Sequence, residues 1–174
     1  MYLIKTGKDN RGTDTHVEFE MIADDFIMVS VDNDQRDRTQ IFSYWRLSGD
    51  GSNPPLEIGV NGQTGTIKSI TIFIDMNCFR EIRFPHSNLS HGNIIVDPSI
   101  FKKMNDYVDM EGYYYVTLVG NKFICSFNEP CDVREIIVNQ NIEFYIDTDH
   151  QLRGIAINNL ADTEIKKIKA LVKN

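Results

Sequence analysis

Only three of the 174 residues are cysteine: Cys78, Cys125 and Cys131. An odd count leaves one thiol unpaired in any disulfide scheme, so the chain does not read as a disulfide-stapled secreted domain and suits a reducing compartment. Long hydrophobic runs are missing as well. The longest apolar stretches, Ile70 to Ile74 and Tyr113 to Val119, have the length of strands and fall far short of a bilayer span. No signal peptide is legible either, because Met1-Tyr2-Leu3-Ile4 gives way at once to Lys5, Lys8, Asp9 and Arg11. These absences together predict a cytoplasmic protein. Positive charge is scarce, with 18 Lys and Arg against 25 Asp and Glu for a net charge of −7. That balance argues against nucleic acid or an anionic membrane as partner, since both need a positive field, and is compatible with a basic protein.

Catalytic signatures are lacking too. There is no Gly-x-Ser-x-Gly elbow and no glycine-rich loop before a helix, and Gly49-Asp50-Gly51 is too short and too polar to cradle phosphate. No catalytic residue and no cofactor is assigned. His86 and His91 flank Ser87-Asn88-Leu89-Ser90 at a zinc-pair spacing, with Cys78 just before them, but nothing fixes Cys125 and Cys131 nearby as a second pair. Asp32-Asn33-Asp34 opens like a calcium loop, yet Asp37 stands where that loop needs glycine and Ser43 where it needs the bidentate Glu. Asp147 and Asp149, at a hairpin tip, read as turn formers. No metal site is assigned.

What the chain does hold is one hydrophobic pattern written twice. In 56–74, Ile58 and Val60 lead into Asn61-Gly62-Gln63-Thr64-Gly65, and the return runs through Ile67, Ile70, Ile72 and Ile74. In 143–160, Phe144 and Ile146 lead into Asp147-Thr148-Asp149-His150, and Leu152, Ile155 and Ile157 come back. In each copy a lone aliphatic residue precedes strict alternation by three positions, which predicts a bulge before a half-buried strand. Two hairpins built alike are expected at equivalent places in the sheet.

Other strand candidates are Met1 to Lys5, His16 to Ile22, Phe26 to Val31, Gln40 to Leu47 and Glu135 to Val138, with Ala23-Asp24-Asp25 as a hairpin turn. Asp50-Gly51-Ser52-Asn53-Pro54-Pro55 reads as a long loop. Around Gly120-Asn121, Leu118 should face Phe123, Val116 Cys125 and Tyr114 Phe127, all toward the core, with Tyr113, Tyr115, Thr117, Lys122 and Ser126 on the other side. Two helices are expected. Ile100, Phe101, Met104, Tyr107 and Val108 fit an amphipathic helix over 98–110 with Asp97 as N-cap, and Ile165, Ile168, Leu171 and Val172 fit another over 162–172, capped by Asp162 and lysine-rich on its outer face. The expected class is α+β: one domain over 1–174, predominantly antiparallel β, in two packed sheets or one strongly curved sheet, with two main helices.

The segment Leu56-Glu57-Ile58-Gly59-Val60-Asn61, then Thr64-Gly65, then Ile67-x-x-Ile70-x-Ile72, resembles a hairpin of small bacterial immunity proteins encoded beside contact-dependent and other polymorphic toxins. About nineteen residues carry the resemblance. It implies a cytosolic protein that binds and blocks one cognate toxin domain, often a nuclease. It transfers no functional residue, because such proteins vary most where they touch the toxin. Nuclease sites are cationic where they hold phosphate, so an acidic surface could plug one with fast, salt-sensitive association and no turnover. The contact residues expected on that reading are Asp32, Asp34 and Asp37 in one loop, and Asp106, Asp109 and Glu111 beside Tyr113 and Tyr115. A small-ligand binder or enzyme on a curved sheet, with the His86 to His91 loop at its mouth, is the alternative; a subunit of a homo-oligomer is the third.

Overall fold

The computed structural model describes residues 6–9, 15–33, 42–49, 51, 54–84, 88–103, 105–128 and 133–173. Fourteen strands follow in order: β1 (Thr6–Asp9), β2 (Thr15–Ala23), β3 (Phe26–Asn33), β4 (Phe42–Ser48), β5 (Leu56–Asn61), β6 (Ile67–Ile74), β7 (Asn88–His91), β8 (Asn93–Val96), β9 (Tyr107–Glu111), β10 (Tyr114–Val119), β11 (Lys122–Phe127), β12 (Val133–Asn139), β13 (Ile142–Asp147) and β14 (Leu152–Ile157). One α-helix, α1 (Asp162–Lys173), closes the described chain. The strand expected over 1–5 lies outside the described residues.

Two six-stranded sheets carry the fold. The first runs β2-β3-β6-β5-β4-β9 and the second β10-β11-β14-β13-β12-β7, while β1 and β8 form a separate ribbon. Within each sheet five consecutive strands take the same order, first, second, fifth, fourth, third. A parallel strand is then added outside the third: β9 on β4, and β7 on β12. The two similar hairpins, β5–β6 and β13–β14, thus occupy matching places. Their bulges match as well. Gly59 pairs with Ser69 and Val60 with Ile67, leaving Lys68 over; Tyr145 pairs with Gly154 and Ile146 with Leu152, leaving Arg153 over.

The turns inside these hairpins are organised alike. Asn61 Oδ1 accepts the N–H groups of Gln63 (3.0 Å) and Thr64 (3.1 Å), and Asp147 Oδ1 those of Asp149 (2.9 Å) and Gln151 (2.8 Å). An Asx side chain bonding its own backbone a few residues on is the local chemistry expected of such a turn.

Alternation sends one side of each sheet inward. Val29, Trp45, Ile58 and Ile72 from the first sheet meet Val116, Phe123, Phe127 and Ile155 from the second in one buried cluster. Phe19 meets Phe123 edge-on with centroids 5.7 Å apart, and Trp45 lies 6.1 Å from Phe127. Each such fully buried ring or aliphatic side chain contributes roughly 1.5–3 kcal/mol. The β10–β11 register is the one the turn predicts, with Leu118 opposite Phe123, Val116 opposite Cys125 and Tyr114 opposite Phe127. Cys125 is fully buried, as a small core residue should be.

The fold is therefore two packed, mostly antiparallel sheets with a single α-helix among the described residues, and the helix expected over 98–110 is not there. Pro98–Ile100 is a short 3-10 turn, with Asp97 accepting the Ser99 N–H at its start, and 107–111 is strand β9. Of the five residues whose spacing of three and four imitates a helix, Ile100, Phe101 and Val108 pack on the core, but from a turn and a strand; Tyr107 is exposed on the other side of β9, and Met104 lies outside the described residues. Helix α1 matches expectation, with Ile168 and Leu171 buried. It starts one residue differently: Ala161 precedes its first turn, and the Glu164 carboxylate accepts the Ala161 N–H (2.6 Å). Lys167 reaches back to donate to the Phe19 carbonyl (2.6 Å).

The outer faces differ. After β6, residues 79–84 run as a strap across the outside of the second sheet: Phe79 bridges Val116 on β10, and Ile82 and Phe84 pack on Ile124, Tyr145 and Ala156. Phe84 stacks on Tyr145 with centroids 4.2 Å apart, and a Cβ at Gly154 would crowd both Phe84 and the Cys125 carbonyl. No second cluster of this kind covers the outside of the first sheet among the described residues.

Candidate functional site

The outer face of the first sheet can be read row by row from its register. One row is His16, Asp32, Ser69, Gly59, Tyr44, Tyr107; the next is Glu18, Ser30, Thr71, Glu57, Arg46, Asp109. A third adds Glu20, Met28 and Phe73 at one side and Ser48 and Glu111 at the other. At about 4.8 Å per strand, six strands make a face about 24 Å wide. It carries six acids, Glu18, Glu20, Asp32, Glu57, Asp109 and Glu111, against two bases, Arg46 and the bulge residue Lys68.

Arg46 is already engaged. Its Nε and Nη2 donate to Asp109 at 2.6 and 2.9 Å, and its guanidinium sits 4.6 Å from the centre of the Tyr107 ring. Tyr107 in turn stacks on Tyr44, with centroids 5.4 Å apart and planes 14° from parallel. Burial, followed by Tyr107 and Glu57, pushes the Tyr44 hydroxyl above the usual phenol value, so it stays a neutral hydrogen-bonding group. The result is a rigid aromatic shelf at the β4–β9 edge, with Tyr107 54% exposed, beside a broad acidic field. Large amphipathic rings of low conformational entropy next to charge are the usual anchors of protein contacts.

Of the contact residues expected from sequence, Asp32, Asp109 and Glu111 lie on this face. Asp32 and Asp109 are four strands apart, about 19 Å, which exceeds the screening length of roughly 8 Å at physiological salt; each acts on its own counter-charge. Asp34 and Asp37 lie outside the described residues. Asp106 is half-buried and structural: its carboxylate accepts the Lys102 N–H (2.7 Å) and its carbonyl the Tyr44 N–H (2.8 Å), docking β9 onto β4. Tyr113 is exposed between the two sheets, with its N–H bonded to Asn128 Oδ1 (3.1 Å). Tyr115 belongs to the other outer face, where the Arg80 guanidinium lies 5.7 Å from its ring. The grouping of both tyrosines with Asp106, Asp109 and Glu111 therefore does not form. Gly112 and Tyr113 carry the chain from one sheet to the other, and alternation does not survive that step.

Tyr44, Tyr107, Glu18, Glu20 and Glu57 are the members of this face that sequence reasoning missed. Their signal was the two-residue spacing Tyr44-x-Arg46 and Tyr107-x-Asp109, which places each pair on one side of a strand. His86 and Cys131 lie outside the described residues, and among the described residues no three His, Cys, Asp or Glu side chains gather as metal ligands. No described helix is long and apolar enough to cross a membrane. No protein-family model matches the chain, and no curated protein matches it.

A second polar cluster sits on the outside of the other sheet. Glu143 Oε2 accepts from Lys122 Nζ and from the Tyr145 hydroxyl, both at 2.7 Å, and Oε1 accepts from Asn158 Nδ2 at 3.0 Å. Burial opposes the charge of Glu143, but the bonds from Lys122, Tyr145 and Asn158 outweigh it and hold the carboxyl below the usual range. Burial and the bond to Glu143 push the Tyr145 hydroxyl up, so it remains protonated and donating.

A folded-state pKa below the unfolded one means stability present above the ordinary carboxylate range and lost as pH falls through the lowered value. Replacing Glu143 with Gln is expected to cost about 1 kcal/mol near neutral pH and to flatten the decline of stability on the acid side. Urea unfolding of both proteins across that range checks this; parallel curves would contradict it.

Proposed function

We propose that this chain is a binding protein that neutralises a basic protein toxin domain by covering it, in the cytosol of the cell that makes both, without turnover. The observation that carries the reading is the outer face of the first sheet, which no second hydrophobic cluster covers among the described residues and where six acids are spread across the strands beside the Tyr44–Tyr107 shelf. A partner with a cationic, phosphate-binding cleft complements that face in charge, and the two rings offer it an apolar anchor. The likeness of the 56–74 hairpin to toxin-immunity proteins supports the choice of a toxin as partner.

The test uses the domain encoded at the C-terminal end of the reading frame immediately upstream. Co-expression with this chain is expected to restore growth that the domain alone abolishes, and the purified pair should associate with a steep salt dependence. Reversing Glu18 and Asp32 together to lysine should slow association about tenfold and reduce the salt slope, because steering acts on the encounter. Glu81→Lys, on the strap over the other sheet, should change neither. An upstream metabolic operon with no binding, or rates and salt slope unchanged in the Glu18 and Asp32 variant, would overturn the reading.

A further inference from the structure

On the outside of the second sheet, the strap leaves a groove of about 720 Å³ between its inner edge and the sheet. That volume lies within the range of roughly 300–1,000 Å³ usual for small-molecule sites. Its floor and walls are largely apolar. Ile124 and Ile136 come from the sheet, Ile82 and Phe84 from the strap, and Leu89 and Val119 stand at its rims. Leu89 is 67% exposed and Val119 57%, so both rims present apolar surface to water that a bound molecule would cover.

Glu143 is saturated by Lys122, Tyr145 and Asn158, and the Tyr145 proton is spent on it. Lys122 has three N–H donors and gives one to Glu143, leaving two to direct elsewhere. Thr117 lines the β10 end of the same groove, three strands from Glu143. A ligand atom beside the Lys122 ammonium meets a donor. The charged lining residues cancel: Glu81 pairs with Arg83, and Glu143 with Lys122. An anionic head group would face the Glu143 carboxylate, and a cationic one the Lys122 ammonium.

We propose that this groove binds a small uncharged molecule with an apolar body and one hydrogen-bond acceptor at its end, the chemistry of a medium-chain ketone, ester or amide. The body lies along Leu89, Ile136 and Phe84, and the terminal oxygen accepts from Lys122 Nζ. The site lies on the opposite outer face from the acidic field, so it stands or falls independently of toxin binding.

Three eight-carbon probes separate the cases: 2-octanone, octanoate and octylammonium, each titrated into the purified full chain by calorimetry and by amide shifts in NMR spectra. Saturable binding of 2-octanone is expected, with both ions at least tenfold weaker. Lys122→Met keeps the apolar stem and should weaken 2-octanone on the order of tenfold by removing a charged donor. Leu89→Ser, at an exposed rim where the fold has little at stake, should weaken it about fivefold and serves even where the Lys122 variant does not fold. No saturable binding of 2-octanone at millimolar concentration would overturn the proposal. So would either ion binding as tightly as the ketone, or a Leu89→Ser protein with unchanged affinity.

Discussion

Asp147→Ala is expected to lower the unfolding free energy by about 3–5 kcal/mol, the range for removing one partner of a buried ion pair. Asp147 is 4% exposed, and three donors converge on its carboxylate: the N–H groups of Asp149 and Gln151, and Arg153 Nε at 2.6 Å. Alanine leaves the Arg153 guanidinium, itself on a side chain only 22% exposed, without its counter-charge. It also removes the carboxylate oxygen that the Asp149 and Gln151 N–H groups share. The matching residue of the first hairpin, Asn61, is half-buried and uncharged, so Asn61→Ala should cost only about 1 kcal/mol. Asp147→Asn should fall between the two, since it retains the turn acceptor and loses the charge. Urea unfolding of the three variants gives the ranking, and equal losses at 61 and 147 would refute this account of the turn.

Gly65→Ala is expected to cost on the order of 3 kcal/mol. Gly65 has φ of +72°, which costs an L-residue about 1–2 kcal/mol. A Cβ there would also overlap the Val96 carbonyl oxygen and press on the Ile95 side chain. Those atoms cannot simply yield, because the Gly65 carbonyl accepts the Val96 N–H (2.8 Å) and Thr66 bridges Ile95. This is the seam between the β5–β6 hairpin and the β1–β8 ribbon. Gly120 shares a positive φ but has open space around its Cβ position, so Gly120→Ala pays the backbone cost alone. Thermal unfolding should therefore separate the two glycines, and a Gly65 variant no worse than the Gly120 variant would show that the seam adapts.

Four hairpins, β2–β3, β5–β6, β10–β11 and β13–β14, were legible in the sequence because their registers are local. Two strands joined by a short polar turn write their alternation side by side, and Gly120-Asn121 or Asp24-Asp25 dictates which residues face each other. Even the bulges left a mark, since the lone aliphatics Ile67 and Leu152 fall out of phase with the alternation that follows. The parallel pairs left none. Arg46 meets Asp109 across 63 positions with no turn between them to set the register. The same gap explains the misread helix. With β9 unpaired in view, Tyr107 and Val108 could be joined to Ile100 and Phe101 by helical spacing, although Asn105, at φ of +58°, already breaks any such run. Of the candidate contact surface, Asp109 and Glu111 were expected as contacts, whereas Tyr107 was assigned to the helix and its stacking partner Tyr44 comes from β4, with no local turn to bring the two together.

Each five-stranded set ends in an edge closed by a strand from elsewhere: β9, which leads into the second set, lies on the first, and β7, which trails the first, lies on the second. During synthesis the N-terminal set must wait for Glu111 to clear the ribosome before its last strand can dock, and β7 must wait for β12. Neither half is complete without a strand from beyond it, so a chain stopped between them would leave the β4 margin bare.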